Sequence, residues 1–80
     1  MPDPDINAAV REILAEELGV HTCEIWDETL LHKQLNMDSL DLVNICLQLE
    51  ARFNLAGISD EEAERFQTVG DIVRYVVNTE

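Results

Sequence analysis

Apolar residues recur at helical spacing in several segments of the chain. The first segment begins at Ile6 and ends at Leu18, where Gly19 can close a helix in a left-handed backbone conformation. The second begins at Asp38, which can cap the helix behind it, and continues without glycine or proline to Phe53. The pattern therefore predicts two long helices.

Two further helices are predicted nearer the C-terminal end. Ser59 is followed three residues later by Glu62, which is a capping-box sequence, and it predicts a short helix that ends at about Phe66. Thr68 and Asp71 repeat this arrangement before a valine-rich segment whose spacing of three to four residues favours a helix over a strand. The expected fold is an all-α bundle of three longer helices and one short helix.

A long loop is expected between the first two helices, because residues 20–37 show neither helical nor strand periodicity. Scattered apolar residues are expected to pin this loop to the core, and it can include a short helical turn. These residues are Val20, Ile25, Trp26, Leu30, Leu31 and Leu35. Residues 1–5, which contain two prolines, are expected to be a flexible end, so that residues 6–80 form one domain.

The second predicted helix is more apolar than a surface helix needs to be. Its apolar residues are Leu40, Leu42, Val43, Ile45, Cys46, Leu47, Leu49 and Phe53. They cover too much of the circumference for one buried stripe. The helix must therefore bury two sides or present an apolar surface to something else.

The charge balance excludes several classes of function. The 80 residues include 17 Asp and Glu but only five Lys and Arg, which gives a net charge of −12 at pH 7. Such a surface repels phosphate backbones and anionic lipid headgroups, so we expect neither nucleic acid nor a membrane as a partner. Basic proteins are favoured instead, and a chain this short leaves little volume for a large enclosed active site.

Localisation and redox state follow from similar arguments. No apolar run exceeds three residues and residues 1–5 are acidic, so neither a membrane span nor a secretory signal is predicted. We expect a cytoplasmic protein whose mature chain begins at Met1. Cys46 lies in a strongly helical apolar segment and is expected to be a buried, reduced thiol rather than half of a disulfide with Cys23.

The remaining polar residues match no familiar metal or catalytic motif. His21, Cys23, His32 and Cys46 do not have the paired spacing of zinc ligands, and the acidic residues 60–64 lack the pattern of a calcium loop. Neither a nucleophile elbow nor a phosphate-binding glycine loop is present in the sequence. We therefore expect no metal site and no intrinsic enzymatic activity.

Residues 35–41, with the sequence L-N-M-D-S-L-D, combine a helix start with a candidate modification site. Serine in the first turn of a helix is usually only a cap, but Asp38 is the better cap here and leaves the hydroxyl of Ser39 free to project into solvent. A phosphate ester on that oxygen would lie beside helix N-terminal amides, whose partial positive charge favours an anion. Asp38 and Asp41 would oppose it in part.

This segment resembles the attachment motif of acyl carrier proteins, typically L-G-x-D-S-L, which is matched by residues 35–40. The resemblance covers nearly the whole chain, since residues 10–20, 49–53, 58–64 and 68–75 follow the family pattern in order. It implies a small acidic four-helix bundle that carries acyl groups as thioesters and is not an enzyme.

By this resemblance, Ser39 carries 4′-phosphopantetheine, which a phosphopantetheinyl transferase attaches from coenzyme A. The prosthetic thiol, and not Cys23 or Cys46, would hold the acyl group. The chain would then be a monomeric carrier that delivers its cargo to acyl-processing enzymes of fatty-acid, lipid or polyketide synthesis, which offer basic docking patches.

The resemblance also assigns two groups of residues around the second helix. The docking surface for partner enzymes would consist of Asp38, Leu40, Asp41, Val43, Leu47, Glu50, Asp60 and Glu61. The acyl-chain cavity would be lined by Cys46, Leu49, Ile58, Ala63 and Phe66. Ordinary core packing is the alternative role for each residue of this second group.

The sequence departs from the family pattern at a few positions. Asn36 replaces the usual glycine before the motif, which is tolerable because asparagine is among the residues most able to adopt a left-handed backbone. Asn44 and Ala51 stand where housekeeping carriers often have glutamates, and Ser59 replaces a common proline. These departures favour a specialised carrier. A carrier of an amino acid such as D-alanine and an unmodified acidic protein-interaction domain remain the alternatives.

Overall fold

The computed structural model describes residues 6–79 and contains the helices that the sequence predicts. The helices are α1 (Ile6–Leu18), α2 (Ser39–Phe53), α3 (Asp60–Glu64) and α4 (Val69–Thr79). Within residues 6–79 there is no β-strand, only an isolated antiparallel bridge between Leu30 and Thr68. The all-α bundle of three longer helices and one short helix is confirmed, and the flexible end predicted for residues 1–5 lies outside the described residues.

The ends of the long helices are closed by the residues that the sequence indicates. Gly19 ends α1 with φ of 70°, and its N–H donates to the carbonyl of Ala15 at 2.9 Å. At the start of α2, the carboxylate of Asp38 accepts a hydrogen bond from the N–H of Asp41 at 2.9 Å. Asn54 ends α2 in the left-handed conformation, with φ of 55°. Local capping interactions thus fix where α1 ends and where α2 begins and ends.

Helix α3 is shorter than predicted, since it ends at Glu64 and not at about Phe66. Beyond this point the backbone tightens into bonds across three residues: the N–H of Arg65 donates to the carbonyl of Glu62 at 3.2 Å, and that of Phe66 to Ala63 at 3.1 Å. The change of direction brings the Phe66 side chain into the core. This burial outweighs the continuation of a helix that is weakly stabilised by its length.

The loop between α1 and α2 contains a 3₁₀ turn, Thr22–Glu24, in accordance with the sequence. Ile25, Leu31 and Leu35 are buried and pin the loop as predicted. Two of the predicted anchors are wrong, because Trp26 is 63% exposed and Leu30 is 37% exposed. Met37, which was not among the predicted anchors, is buried as well.

The exposure of Trp26 has a local cause. The N–H of Trp26 donates to the hydroxyl of Thr29 at 2.8 Å, and the N–H of Thr29 donates back to the carbonyl of Trp26 at 3.0 Å. This turn buries Thr29 and leaves the indole outside. A satisfied threonine hydroxyl therefore takes the inward position that hydrophobicity alone assigns to tryptophan.

The core lies between α1, α2 and α4, with the loop packed across it. Its largest fully buried side chains are Val10, Leu14, Ile25, Leu31, Ile45, Leu49, Val69, Ile72 and Val76. The loop is held against the start of α4 by a 2.8 Å bond from the N–H of Gly70 to the carbonyl of Asp27. A Cβ on Gly70 would lie 3.2 Å from that carbonyl oxygen, so glycine permits this close approach. None of the helices among residues 6–79 is long and apolar enough to span a membrane.

Candidate functional site on helix α2

Ser39 is the first residue of α2, and its side chain is exposed. The preceding Asp38 supplies the cap through its bond to the N–H of Asp41, and the carboxylate of Asp41 accepts in return from the N–H of Asp38 at 3.4 Å. Because this reciprocal pair closes the helix, the hydroxyl of Ser39 is not required for capping. The structure therefore presents a serine oxygen to solvent at a firmly capped helix start.

A cavity of about 330 Å³ lies between α2 and the segment that contains α3. It is lined by Ser39, Leu42, Val43, Cys46, Leu47, Glu50, Ile58, Asp60, Ala63 and Glu64. Apolar side chains form most of the wall, and three carboxylates stand among them. The candidate modification site and an apolar cavity are thus parts of one feature.

The five residues predicted to line an acyl cavity fall into two groups. Cys46, Ile58 and Ala63 line the cavity between α2 and α3. Leu49 and Phe66 do not line it but belong to the buried core, where Phe66 packs edge-on against Tyr75 of α4 with ring centroids 5.5 Å apart. An acyl-binding role for Leu49 and Phe66 stays a prediction.

The cavity also includes residues that the sequence analysis did not assign to it. Leu42 was given no role, although it lies three residues after Ser39 and four before Cys46. Residues at these spacings share one face of a helix, so this periodicity was the available signal. Glu64 was missed as well, because nothing in its local sequence indicates that α3 turns this residue toward α2.

The residues predicted to contact partner enzymes are distributed over the outer face of α2 and the start of α3. Leu40, Val43 and Leu47 are 69%, 52% and 57% exposed, which is unusual for large apolar side chains. Asp38, Asp60 and Glu61 are exposed, whereas Asp41 and Glu50 are partly buried. Val43 and Leu47 face both the solvent and the cavity.

Glu50 has a structural contact in addition to any role in docking. Its carboxylate accepts a hydrogen bond from the backbone N–H of Ile58 at 2.9 Å. Ile58 precedes Ser59, the N-cap residue of α3. Glu50 therefore ties the segment before α3 to α2 beside the cavity.

Asn44 and Gln48 use their side-chain amides to connect α2 with α1. The amide of Asn44 donates to one carboxylate oxygen of Glu17 at 3.3 Å, and that of Gln48 donates to the other at 2.7 Å. A glutamate at position 44 would place a second carboxylate against Glu17. The neutral residue at this position thus serves the packing of α1 on α2.

Cys46 is a free, buried cysteine, as the sequence predicted, and Cys23 is free and exposed. Burial, together with the smaller effects of the nearby carboxylates of Glu50 and Asp60, raises the pKa of the Cys46 thiol to about 11. The thiol in the cavity wall is therefore protonated near neutral pH, and a protonated thiol is a poor nucleophile.

No group of three or more His, Cys, Asp and Glu side chains within residues 6–79 is arranged to hold a metal ion.

Several known proteins resemble this chain in sequence. A family model described as a phosphopantetheine attachment site matches residues 8–76. The acyl carrier protein of Wolinella succinogenes is 43% identical over 67 residues, which are 84% of this chain and 87% of that protein. The acyl carrier protein of Chlamydia caviae is 40% identical over 67 residues, or 84% and 86% of the two chains.

A solved structure has a similar fold. The acyl carrier protein of Enterococcus faecalis superimposes with a TM-score of 0.82 at 30% identity and covers 100% of both chains. Together, the family model and the relatives identify the covalent cofactor as 4′-phosphopantetheine. The chain therefore belongs to the acyl carrier protein family, whose members carry their cargo and are not catalysts.

Proposed function

We propose that the chain carries acyl groups on 4′-phosphopantetheine attached to the hydroxyl of Ser39. We further propose that it delivers them in the cytoplasm to partner enzymes of fatty-acid, lipid or polyketide synthesis. The observation that carries this proposal is the position of Ser39, which is exposed on the first residue of α2 and lines an apolar cavity.

The surroundings of Ser39 suit a phosphodiester. The N-terminal amides of the 15-residue helix α2 carry partial positive charge that favours an anion, although Asp38 and Asp41 oppose it. The capping pair keeps this helix end formed, so the backbone that carries the Ser39 oxygen is held in place. When attached, the prosthetic group supplies a terminal thiol that holds an acyl chain as a thioester.

The cavity beside Ser39 supports apolar acyl cargo. Leu42, Cys46, Ile58 and Ala63 offer apolar surface, and each methylene that is removed from water there contributes about 0.8 kcal/mol. The protonated thiol of Cys46 is a poor nucleophile, so we expect no transfer of the acyl group from the prosthetic thiol to Cys46. These properties favour an acyl chain over a small amino acid.

The docking surface supports brief exchange with several basic enzymes. Asp38, Asp60 and Glu61 are exposed carboxylates at the starts of α2 and α3, and Leu40 and Val43 are exposed apolar side chains in the first turns of α2. Each exposed charge pair with a partner contributes at most about 1 kcal/mol, but the summed field accelerates encounter. Rapid association with modest affinity suits a protein that must release its cargo to one enzyme after another.

The experiment that tests the attachment residue uses the only two serines of the chain, Ser39 and Ser59. The wild-type chain, Ser39→Ala and Ser59→Ala are each incubated with coenzyme A and a broad-specificity phosphopantetheinyl transferase, and their intact masses are measured. We expect one phosphopantetheinyl increment in the wild type and in Ser59→Ala, and none in Ser39→Ala. An unmodified wild type, or an increment that survives in Ser39→Ala, contradicts the proposal.

A further inference from the structure

The segment that leads into α2 is anchored at Met37, two residues before Ser39. The Met37 side chain is buried, being only 3% exposed. Its backbone N–H donates to the carbonyl of Leu31 at 3.1 Å, and its carbonyl accepts a hydrogen bond from Nδ1 of His32 at 2.9 Å. The side chain and both backbone polar groups of Met37 are therefore held.

This anchor follows a residue whose backbone conformation is uncommon outside glycine. Asn36 has a φ of 58°, in the left-handed region that residues other than glycine rarely occupy. Such a conformation persists where the surrounding structure determines it. The bonds of the two peptide groups that flank the Cα of Met37 therefore fix the direction in which α2 begins.

His32 is exposed, so a substitution there removes its hydrogen bond to Met37 without disturbing the core. An exposed imidazole does not fill the core, so its removal leaves no cavity among buried side chains. Its contribution to the fold in this segment is the hydrogen bond to the Met37 carbonyl. That bond requires a proton on Nδ1, which is present in one neutral tautomer of histidine and in the cation.

We infer that His32 is a positioning residue for the modification of Ser39, because its Nδ1–H holds the Met37 carbonyl and thereby orients the start of α2. His32 acts through the backbone and not on the reacting atoms. The inference rests on the proposed attachment at Ser39. With the carbonyl released, the peptide between Met37 and Asp38 rotates more freely, and the hydroxyl is presented to a transferase in a wider range of orientations.

The geometry of histidine suggests a specific set of variants. Nδ1 of histidine and the amide nitrogen of asparagine are both two bonds from Cβ, so His32→Asn keeps a donor at the required position. His32→Gln moves the donor one bond further out, and His32→Ala removes it. His21→Ala is a matched control, since His21 is also exposed and lies in the same loop before the 3₁₀ turn.

The test measures kcat and KM of a phosphopantetheinyl transferase for each variant. A misplacement of about 1 Å in a reacting group can cost about a hundredfold in rate, so we expect kcat to fall about tenfold in His32→Ala and His32→Gln. We expect KM to change by less than about twofold, because the charges that guide docking are unaltered. His32→Asn and His21→Ala should retain the wild-type kcat.

The backbone amide resonances of residues 36–40 provide a readout that does not depend on the enzyme. They should shift and broaden in His32→Ala and return toward wild-type values in His32→Asn. A wild-type kcat in His32→Ala, or a loss that His32→Asn fails to rescue, overturns the role of His32 while leaving attachment at Ser39 intact. Absence of modification in the wild-type chain overturns the proposed function, and with it this inference.

Discussion

Ser39 and Cys46 lie on one helix and line one cavity, yet their environments give them opposite reactivities. The Ser39 oxygen is exposed at a helix start that other residues cap, so it is accessible to a modifying enzyme. The Cys46 thiol is buried, and burial together with nearby carboxylates raises its pKa to about 11. Accessibility and protonation state therefore explain why Ser39 can be modified while the Cys46 thiol is unreactive.

This contrast predicts selective alkylation of the two cysteines. With a pKa of about 11, only about one Cys46 thiol in a thousand is ionised at pH 8, and burial blocks access to it. We expect iodoacetamide to label the folded Ser39→Ala chain, which lacks a prosthetic thiol, once and only at Cys23. Mass spectrometry checks this, with Cys23→Ser as the unlabelled control and denaturant as the condition that exposes Cys46. Labelling of Cys46 in the folded chain at a rate similar to Cys23 contradicts the prediction.

At the scale of elements, α3 is the helix most dependent on its cap. It has only five residues, and the reciprocal bonds of Ser59 and Glu62 close its first turn. The Glu62 carboxylate accepts from the N–H of Ser59 at 3.2 Å and from its hydroxyl at 3.0 Å. The backbone bond, followed by the hydroxyl bond, lowers the pKa of Glu62 from its ordinary value of 4.5. The ionised carboxylate of Glu62 therefore stabilises the first turn of α3.

The lowered pKa of Glu62 predicts that α3 unwinds in acid. A carboxylate whose pKa is lowered by folding stabilises the folded form above pH 4.5, and this stabilisation is lost as the pH falls through the folded value. We expect the helical Cα chemical shifts of residues 60–64 to collapse in acid before those of α1. Glu62→Gln should reduce this pH dependence, because only Asp60 and Glu61 then remain as acidic residues of the first turn, whereas Glu64→Gln should keep it in full. Simultaneous loss of α1 and α3 on acidification would count against a local effect.

The cavity between α2 and α3 predicts that an acyl chain stabilises the protein. Burial of a few methylenes from an octanoyl group loaded from octanoyl-coenzyme A should raise the free energy of unfolding by about 2 kcal/mol over the acetyl form. Ala63→Leu places a larger side chain in the cavity wall and should abolish the gain, while Ala51→Leu, on the exposed side of α2, should preserve it. Urea denaturation measures the difference. Equal stability of the octanoyl and acetyl forms favours a carrier of small cargo such as an amino acid.

The elements that the sequence predicts well are those governed by neighbours along the chain. Asp38, Ser59 and Gly19 act within a few residues of their own position, so their roles at helix ends are legible in the sequence. Helical spacing shows which residues share a face of α2 with Ser39, but how far along that face the cavity extends depends on how α2 packs against α3, which the spacing does not specify. Leu42 and Leu49 are both apolar residues of α2, and only the packing of the helices assigns one to the cavity and the other to the core.

The same distinction explains the loop before α2. Hydrophobicity suggested Trp26 as an anchor, but a turn with Thr29 leaves it exposed. Asn36 can replace the usual glycine because asparagine adopts a left-handed backbone more readily than most other residues, and its φ of 58° confirms this expectation. The bond between His32 and Met37 joins residues five positions apart in an irregular segment, where no periodicity reveals it.

For the whole molecule, the structure shows where the carboxylates behind the net charge of −12 are exposed. Asp38, Asp60 and Glu61 are exposed around the cavity and the serine, beside the exposed apolar residues of α2. Other carboxylates are occupied in packing, as Glu17 is by the amides that join α1 to α2. The overall field attracts basic partners, and the surface near Ser39 is where a partner has both charge and apolar area to contact.

This localisation predicts that the position of a charge matters more than the total charge. Glu61→Lys on α3 and Glu12→Lys on α1 change the net charge equally, and both side chains are exposed. We expect Glu61→Lys to lower kcat/KM of a phosphopantetheinyl transferase about tenfold at low salt, with a smaller effect at high salt because ions screen the attraction. Glu12→Lys should change it little, and equal losses in the two variants would refute a localised docking surface.

Peptide mapping of the modified chain shows directly which serine carries the prosthetic group. Trypsin cleaves after Lys33, Arg52 and Arg65, so Ser39 and Ser59 fall into separate peptides, residues 34–52 and 53–65. After expression with a phosphopantetheinyl transferase, tandem mass spectrometry of these peptides locates the prosthetic group. We expect the whole increment on residues 34–52, with fragment ions that assign it to Ser39. An increment on residues 53–65, or on neither peptide, contradicts it.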